Sequence, residues 1–168
     1  MSWSDRRSLI ACLAATPALA ACGFAPALAP GEPATALRGR IRADDPVDDA
    51  TAALVARFEE RLGRPTRPGW RLAYALTITE SRRALEAVVG ETRGQFDGTL
   101  RWQLVPEDGE TPVAEGTARR FTGFSRTDTP LARRAAAEDA ARRLGRMLAD
   151  AVVAELVASA GDWAVATP

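Results

Sequence analysis

The chemistry open to this chain is limited by which nucleophilic and titratable side chains it contains. It has no histidine and only two cysteines, Cys12 and Cys22. Without imidazole it can form neither a Ser-His-Asp triad nor the commonest zinc sites. Beyond the first 21 residues the serines are Ser81, Ser125 and Ser159, none in a G-x-S-x-G context, and no P-loop or G-x-G-x-x-G sequence is present. We therefore expect no enzyme, no cofactor and no metal site.

Cys22 is the one nucleophile whose surroundings predict a reaction. It closely follows the run Ser8 to Ala20, which is almost wholly apolar and is preceded by Asp5-Arg6-Arg7. A charged start, an apolar run of about 13 residues and an exit of small residues are typical of a secretory signal peptide. Such a run is too short to cross a bilayer core of about 30 Å as a helix. The sequence therefore predicts export of the chain.

Two cleavage sites fit this region. Ala18-Leu19-Ala20 matches the A-x-A pattern of ordinary secretion. Leu19-Ala20-Ala21-Cys22 resembles the bacterial lipobox, in which the cysteine thiol is alkylated by a diacylglyceryl group and becomes the new N-terminus. We favour the second site because Cys12 lies in the segment to be removed, so that the mature chain would hold one thiol and no internal disulfide. Residues 1–21 are thus predicted to be a lipoprotein signal peptide and Cys22 the lipidation site.

The remaining residues divide into a tether, one domain and a tail. Residues 22–33 hold three prolines and little to bury, which predicts a lipidated cysteine followed by a flexible tether. Residues 34–160 have the length of a single domain, and residues 161–168 are predicted to be a loose tail. By similarity to bacterial lipoproteins, Gly23 in place of aspartate favours an anchor in the outer membrane, facing the periplasm. After removal of the signal the net charge is −1, which argues against nucleic-acid binding.

Alternating apolar residues predict four strands. Residues Ala36 to Ala43 predict a short first strand. The clearest alternation follows in the second strand, which continues or restarts over residues 84–89, and the third strand is predicted over Gln95 to Val105. The turn-rich segment "PEDGE" then leads to a fourth strand over Pro112 to Phe124 that returns antiparallel. The apolar positions of the second strand are Trp70, Leu72, Tyr74, Leu76 and Ile78.

Helical spacing predicts two helices, one after the first strand and one after the fourth. In the first, Asp45 is the predicted cap, Pro46 the first helical residue, and Gly63 with Pro65 the stop. The second is predicted to begin at Thr129-Pro130 and to end at Gly161. The apolar positions of the first helix are Val47, Ala50, Leu54, Phe58 and Leu62, and those of the second are Ala140, Leu144, Met147, Leu148, Ala151 and Val152.

The order strand, helix, three strands, helix predicts an α+β two-layer sandwich. Two helices would pack on one face of a mainly antiparallel four-stranded sheet. The alternate residues from Trp70 to Ile78 would then share the face covered by both helices. Trp70, Tyr74 and Trp102 are accordingly interpreted as packing residues of the sheet, not as a ligand cage.

Several of these features together resemble one bacterial family. The stretch "LAACGFAP", Leu19 to Pro26, is similar to the start of the LPS-assembly lipoproteins (LptE), in which C-G-F-x-P is common. The β-α-β-β-β-α order is also that of the family, as is a long last helix with an acidic-Ala-basic stretch, here Glu138 to Arg142. The resemblance covers most of the mature chain and is to an alphaproteobacterial type of member.

The resemblance implies a role without catalysis. A member of this family would partner the large outer-membrane β-barrel LptD, sit in its lumen as a plug and assist delivery of lipopolysaccharide to the outer leaflet. The alternative is a lipid-anchored auxiliary protein or small-ligand carrier of another envelope lipid-transport system. A carrier should have a large apolar pocket between sheet and helices, whereas a plug should have a filled core and a polar surface.

The resemblance also implies where lipopolysaccharide phosphates would bind. It suggests basic positions at the turn before the long third strand and near the start of the last helix, far from the anchor. Arg133 and Arg134 match the second place, and Arg93 is the nearest candidate for the first. Guanidinium groups pair with phosphate in a bidentate fork, and a helix N-terminus favours anions. The alternative is that Arg133 and Arg134 form local ion pairs with Asp128 and Glu138.

Overall fold

The computed structural model describes residues 28–81, 93–126 and 129–164. Over these residues the chain forms a four-stranded sheet and two α-helices, in the predicted order β-α-β-β-β-α. The strands are β1 (Ile41–Ala43), β2 (Trp70–Ser81), β3 (Arg93–Pro106) and β4 (Ala114–Ser125), and the helices are α1 (Asp49–Leu62) and α2 (Pro130–Trp163). The α+β sandwich predicted from the sequence is confirmed.

The sheet is a β2-β3-β4 meander with β1 added at one edge. The strand order is β1-β2-β3-β4; β1 is parallel to β2, and the other two pairs are antiparallel. The registers pair Trp70 with Pro106 and Ser81 with Gln95. The Ser81–Gln95 pair lies at the end of the sheet where β2 ends and β3 begins, and Ser125 of β4 lies at the same end, opposite Arg93. We call this the distal end and the opposite end the proximal end.

The hydrophobic core fills the space between the sheet and the two helices. The even-numbered residues of β2 and β3 face the helices, as the alternation predicted, and Trp70 and Leu72 are at most 1% exposed. The side chains predicted to cover them are also buried, namely Leu54, Phe58, Leu144, Leu148 and Val152. Of the predicted apolar positions of α2, Met147 alone is exposed.

The first helix starts at a different cap from the one predicted. Asp48, not Asp45, is the N-cap, and Pro46 lies before the helix. The reason is that Asp48 and Thr51 form a capping box that satisfies two backbone N–H groups at once, which a single aspartate at position 45 would not do. Val47, predicted on the buried face, therefore lies outside the helix and is 89% exposed.

The first predicted strand is shorter than expected. A 3₁₀ helix occupies Pro33–Leu37 and only Ile41–Ala43 is strand. Pro33 fixes the backbone for the first helical turn, and the buried Ala34 and Leu37 are three residues apart, the period of a 3₁₀ helix. Gly39 then adopts a φ of 66° and donates its N–H to the Leu62 carbonyl oxygen at 2.8 Å, which interrupts the alternation.

The long helix runs past its predicted end. It continues through Gly161 to Trp163, whose side chain is buried and meets the Trp70 ring edge-on, with centroids 5.6 Å apart. A helix of this length extends about 51 Å and so spans the sheet from the distal to the proximal end. Across residues 28–81, 93–126 and 129–164, no helix combines the length and hydrophobicity required to span a bilayer.

Candidate functional site

The three arginines predicted to bind phosphate all lie at the distal end. Arg93 is the first residue of β3, opposite Ser125 of β4. The chain reaches the start of α2 at Pro130 soon after β4 ends, which places Arg133 and Arg134 at the same end, in the first turns of that helix. Both described N-terminal elements, the 3₁₀ helix and β1, meet the sheet at its proximal end, because Ile41 pairs with Trp70.

The three arginines share an end of the sandwich but not a face. Gly98 faces the helices, since a Cβ built there would lie 2.9 Å from the Leu144 side chain. Arg93 has the opposite parity in the same strand, so its side chain leaves from the outer face. Arg133 and Arg134 belong to the helix layer and are exposed. A ligand touching all three would have to cross the distal end of the sheet.

The charge balance at the start of α2 differs between the two helical arginines. Arg134 donates to the Glu138 carboxylate at 2.9 Å, an i,i+4 pair whose arginine side chain is 80% exposed. Such an exposed pair contributes little to stability and can be exchanged for another anion. Arg133 has no ion pair among the residues that the structure describes. Asp128, the other carboxylate considered from the sequence, lies outside the described residues.

The N-terminus of α2 adds the positive end of a long helix dipole to this end. Thr129 is the N-cap, and its hydroxyl oxygen accepts from the Ala132 N–H at 3.4 Å. Pro130 follows without an N–H of its own, and the first turn contains no acidic residue. The Ala132 and Arg133 N–H groups both bond Thr129, so the helix favours an anion near its first turn mainly through its dipole.

Sequence reasoning missed the contacts that close the distal end on the helix side. The Arg126 guanidinium bonds the Glu80 carboxylate and lies 5.9 Å from the Phe124 ring centroid. Phe124 in turn packs on Phe96, with ring centroids 4.6 Å apart. Glu80 is far from Arg126 in sequence, so this contact could have been predicted only from the register of the three-stranded meander. The pair places a fourth arginine at the distal end, half-buried and neutralised.

The outer face of the sheet carries small and polar residues, and neither of the two described helices packs on it. A depression of about 610 Å³, open to solvent, lies in its middle, and Asp44, Arg101, Gln103 and Glu115 are among its lining residues. Gln103 donates to the Glu115 carboxylate at 3.0 Å. Phe121 is a large apolar side chain of this face that is exposed, at 65%. The described outer face is therefore predominantly polar.

The predicted lipidation site, Cys22, lies outside the described residues. Residues 84–89, where the second strand was predicted to continue or restart, also lie outside them. Within the described ranges no group of three His, Cys, Asp or Glu residues is arranged to hold a metal ion.

Comparison with known proteins identifies structural neighbours and no sequence family. No protein-family model matches the chain, and neither does any curated protein sequence. The fold is similar to the crystal structure of a protein classed as a lipoprotein from Caulobacter crescentus CB15, with a TM-score of 0.63 and 17% identity over 77% of this chain and 96% of that one. A minor lipoprotein from Acinetobacter baumannii aligns with a TM-score of 0.52 and 13% identity over 71% and 90% of the two chains. Rare lipoprotein B from Shewanella oneidensis aligns with a TM-score of 0.48 at 13% identity, over 71% and 93%. At these identities the first two likenesses show a shared fold.

Proposed function

We propose that this chain is an outer-membrane lipoprotein, anchored through Cys22, that partners the LPS-assembly β-barrel as a plug and assists delivery of lipopolysaccharide. The proposal joins the L-A-A-C boundary and the "CGFAP" start of the sequence to a fold shared with solved lipoproteins. The observation that carries it is the combination of a filled core with a polar outer surface, which suits a plug better than a carrier.

The filled core is visible where the layers approach most closely. A Cβ built on Gly145 of α2 would lie 2.2 Å from the Ala50 carbonyl oxygen of α1, and one on Gly98 would lie 2.9 Å from Leu144. Contacts this close leave no room for a hydrocarbon ligand at these two places, where α2 crosses α1 and where it crosses β3. A small-ligand carrier needs a concave apolar pocket at such a junction. The packing therefore supports the plug over the carrier.

The polar surface supports the same choice. The lumen of an outer-membrane barrel is polar, so a protein seated in it needs polar side chains on its outer surface. The outer face of the sheet supplies them, with Arg101, Arg119 and a series of threonines on the odd-numbered positions of β2, β3 and β4. Neither Arg101 nor Arg119 has an ion pair among the described residues. Both guanidinium groups can accordingly pair with acidic groups of a lumen wall.

The role in lipopolysaccharide delivery rests on the distal end. Arg93, Arg133 and Arg134, which we call the distal arginine patch, lie with the N-terminus of α2 on the side of the domain away from its N-terminal elements. Phosphorylated lipids would meet this end if the domain projects from its anchor into a barrel. The patch is a proposal in its own right, because the plug role does not require it.

Affinity purification of the lipidated protein from its own outer membranes tests the proposal. We expect a single large β-barrel protein in an equimolar ratio, identified by mass spectrometry. A photo-crosslinking residue at Arg101 should label that barrel, while one at Leu144 in the core should not, because Leu144 is fully buried. Recovery without a barrel protein, or equal labelling from both positions, would overturn the plug role. Copurification with an inner-membrane transporter would favour the auxiliary-lipoprotein alternative.

A further inference from the structure

The edge of β2 is open over most of its length. The Trp70 N–H donates to the Arg40 carbonyl at 3.2 Å and the Leu72 carbonyl accepts from the Asp44 N–H at 3.0 Å, so even-numbered residues of β2 direct their backbone groups toward β1. β1 ends opposite Leu72. Beyond it, no other described residue bonds the backbone N–H and C=O groups on this edge, which belong to Tyr74, Leu76, Ile78 and Glu80.

The opposite edge of the sheet, formed by β4, has backbone carbonyl groups that are bonded by arginine side chains. By the same alternation through β3, the odd-numbered residues of β4 direct their carbonyls away from the sheet. The Arg120 guanidinium donates to the Arg119 carbonyl at 2.8 Å, and Arg143 of α2 donates to the Gly123 carbonyl at 2.8 Å and to Thr122 Oγ1 at 3.0 Å. Two edge carbonyls of β4 are thus covered by guanidinium groups, which hinders pairing with another strand. The described part of β2 has no such cover.

Apolar side chains border the open edge on the helix side. Because the Gly39 N–H bonds Leu62, α1 runs back from the end of β1 to the proximal end and covers about half the length of β2. Leu76 and Ile78 lie beyond its first turn and are half-buried, in contrast to Trp70 and Leu72. The open edge therefore combines unpaired backbone groups with partly exposed apolar side chains, as strand-accepting edges do.

The surroundings of this edge are acidic. The connection from β1 to α1 holds Asp44, Asp45, Asp48 and Asp49; Arg71 pairs with Asp44 at 3.3 Å and Arg142 reaches Asp49 at 3.8 Å. Asp45 has no ion pair among the described residues. Burial, and next the carboxylates of Asp44, Asp48 and Asp45, raise the pKa of Tyr74, which is the first residue of the open edge. The negative potential of the connection thus extends to the strand.

We propose that the open edge of β2, residues Tyr74 to Glu80, binds an extended segment of a partner protein as an added strand. The segment continues the line of β1, directs alternate apolar side chains onto Leu76 and Ile78, and carries a basic residue beside Asp45 and Asp49. Main-chain hydrogen bonds supply the affinity, and the aspartates favour basic segments over acidic ones. The inference stands on the edge itself and does not rest on the proposed function.

A pair of synthetic peptides tests the hydrogen bonds. The probe is a nine-residue peptide of alternating valine and threonine with a lysine at each end, and its control has alternate amides N-methylated. With the full chain purified in detergent, we expect the unmodified peptide to bind at least tenfold more tightly by fluorescence anisotropy, because methylation removes the donors facing β2. Equal affinities, or no binding of either peptide, would overturn the proposal. A glutamate-ended peptide should bind more weakly at low salt.

A variant pair on the protein tests the location. Ile78→Pro removes an N–H that faces the open edge. The backbone hydrogen bonds to β3 are kept, because Thr77 and Thr79 make them, and Ile78→Val keeps the N–H as well. We expect at least a tenfold loss of peptide affinity for the first variant and little change for the second. Unchanged affinity in a folded Ile78→Pro protein would contradict the assignment. If the unmodified chain instead dimerises in sedimentation equilibrium and Ile78→Pro abolishes the dimer, the edge serves a second copy and the proposal fails.

Discussion

Asp48 and Thr51 cap each other at the start of α1. The Thr51 N–H donates to the Asp48 carboxylate at 2.7 Å, and the Thr51 hydroxyl accepts from the Asp48 N–H at 3.0 Å. The first of these residues is exposed and the second is 3% exposed, so the box lies at the boundary between the acidic connection and the core.

Removal of this cap should destabilise the protein in a pH-dependent way. Asp48→Ala should cost about 0.5–2 kcal/mol of unfolding free energy at pH 7. Hydrogen bonds from the Thr51 hydroxyl and backbone lower the pKa of Asp48 from 3.8. Its contribution is therefore present above that value and is lost as the pH falls through the lower folded-state pKa. Urea titrations at several pH values measure the effect. Asp45→Ala, the control, should change stability little, and an equal loss would contradict the capping box.

The core position of Leu144 predicts a large cost on truncation. Leu144→Ala should lower the free energy of unfolding by about 2–5 kcal/mol, because the side chain is fully buried against Gly98. Leu131→Ala in the same helix is the matched control, since Leu131 is 78% exposed and should lose almost nothing. Thermal unfolding of the two variants compares them directly. Similar melting temperatures would mean that α2 does not pack on the sheet through this face.

Two glycines of α2 should respond in opposite directions to alanine. Gly145→Ala places a Cβ 2.2 Å from the Ala50 carbonyl oxygen, so the helices must separate, at a cost of about 1–3 kcal/mol beyond the gain in helix propensity. At Gly161 nothing lies within 4 Å, and alanine should stabilise by up to about 1 kcal/mol. Denaturant titration gives both signs. Stabilisation by both substitutions would rule out close packing of α1 on α2.

Lipidation at Cys22 predicts a specific loss of membrane attachment. Cys22→Ala should leave the protein soluble or mis-sorted, since no thiol remains for the diacylglyceryl group, whereas Cys12→Ala should leave the attachment unchanged. Membrane fractionation and mass spectrometry of the mature N-terminus measure this. An unmodified N-terminus at Ala21 would reject the lipoprotein interpretation.

The distal arginines predict salt-dependent binding of lipopolysaccharide. Replacing Arg93, Arg133 and Arg134 together by glutamate should weaken binding most at low salt, because phosphate pairing is electrostatic. Glutamate at Arg38, Arg67 and Arg146 is a charge-matched control, since these arginines are exposed and, like Arg93 and Arg133, have no ion pair among the described residues. Binding is measured at low and at physiological salt. Equal binding by both triple variants, with the fold intact, would reject the patch and leave the plug role standing.

The sheet and the long helix were predictable because their patterns repeat many times. Trp70 to Ile78 alternates over nine positions, and this fixed both the strand and its buried face. The start of α2 was predicted correctly from a local signal, because Thr129 can cap a helix and Pro130 suits its first position. The first strand was predicted too long because the alternation from Ala36 to Ala43 rested on few residues, and one of them, Gly39, has a positive φ.

Long-range contacts set the features that the sequence did not reveal. Trp163 was assigned to a loose tail because nothing nearby in sequence explains its burial; its partner is Trp70, at the start of β2. Arg126 and Arg143 likewise bond residues of other elements, Glu80 and Thr122. Such contacts follow from the strand register and the placement of α2, which emerge only once the sheet is assembled.

The contact between Ala50 and Gly145 also bears on the order in which the chain folds. The strands β2, β3 and β4 follow one another directly, so each antiparallel pair closes a short loop. The contact of α1 with α2 joins segments from opposite ends of the domain and closes a far longer loop, with a larger entropic cost. The meander would therefore form first as a template, and the docking of the two helices would come late. Interactions formed late mainly slow unfolding, so this helix contact sets how long the folded protein lasts more than how fast it forms.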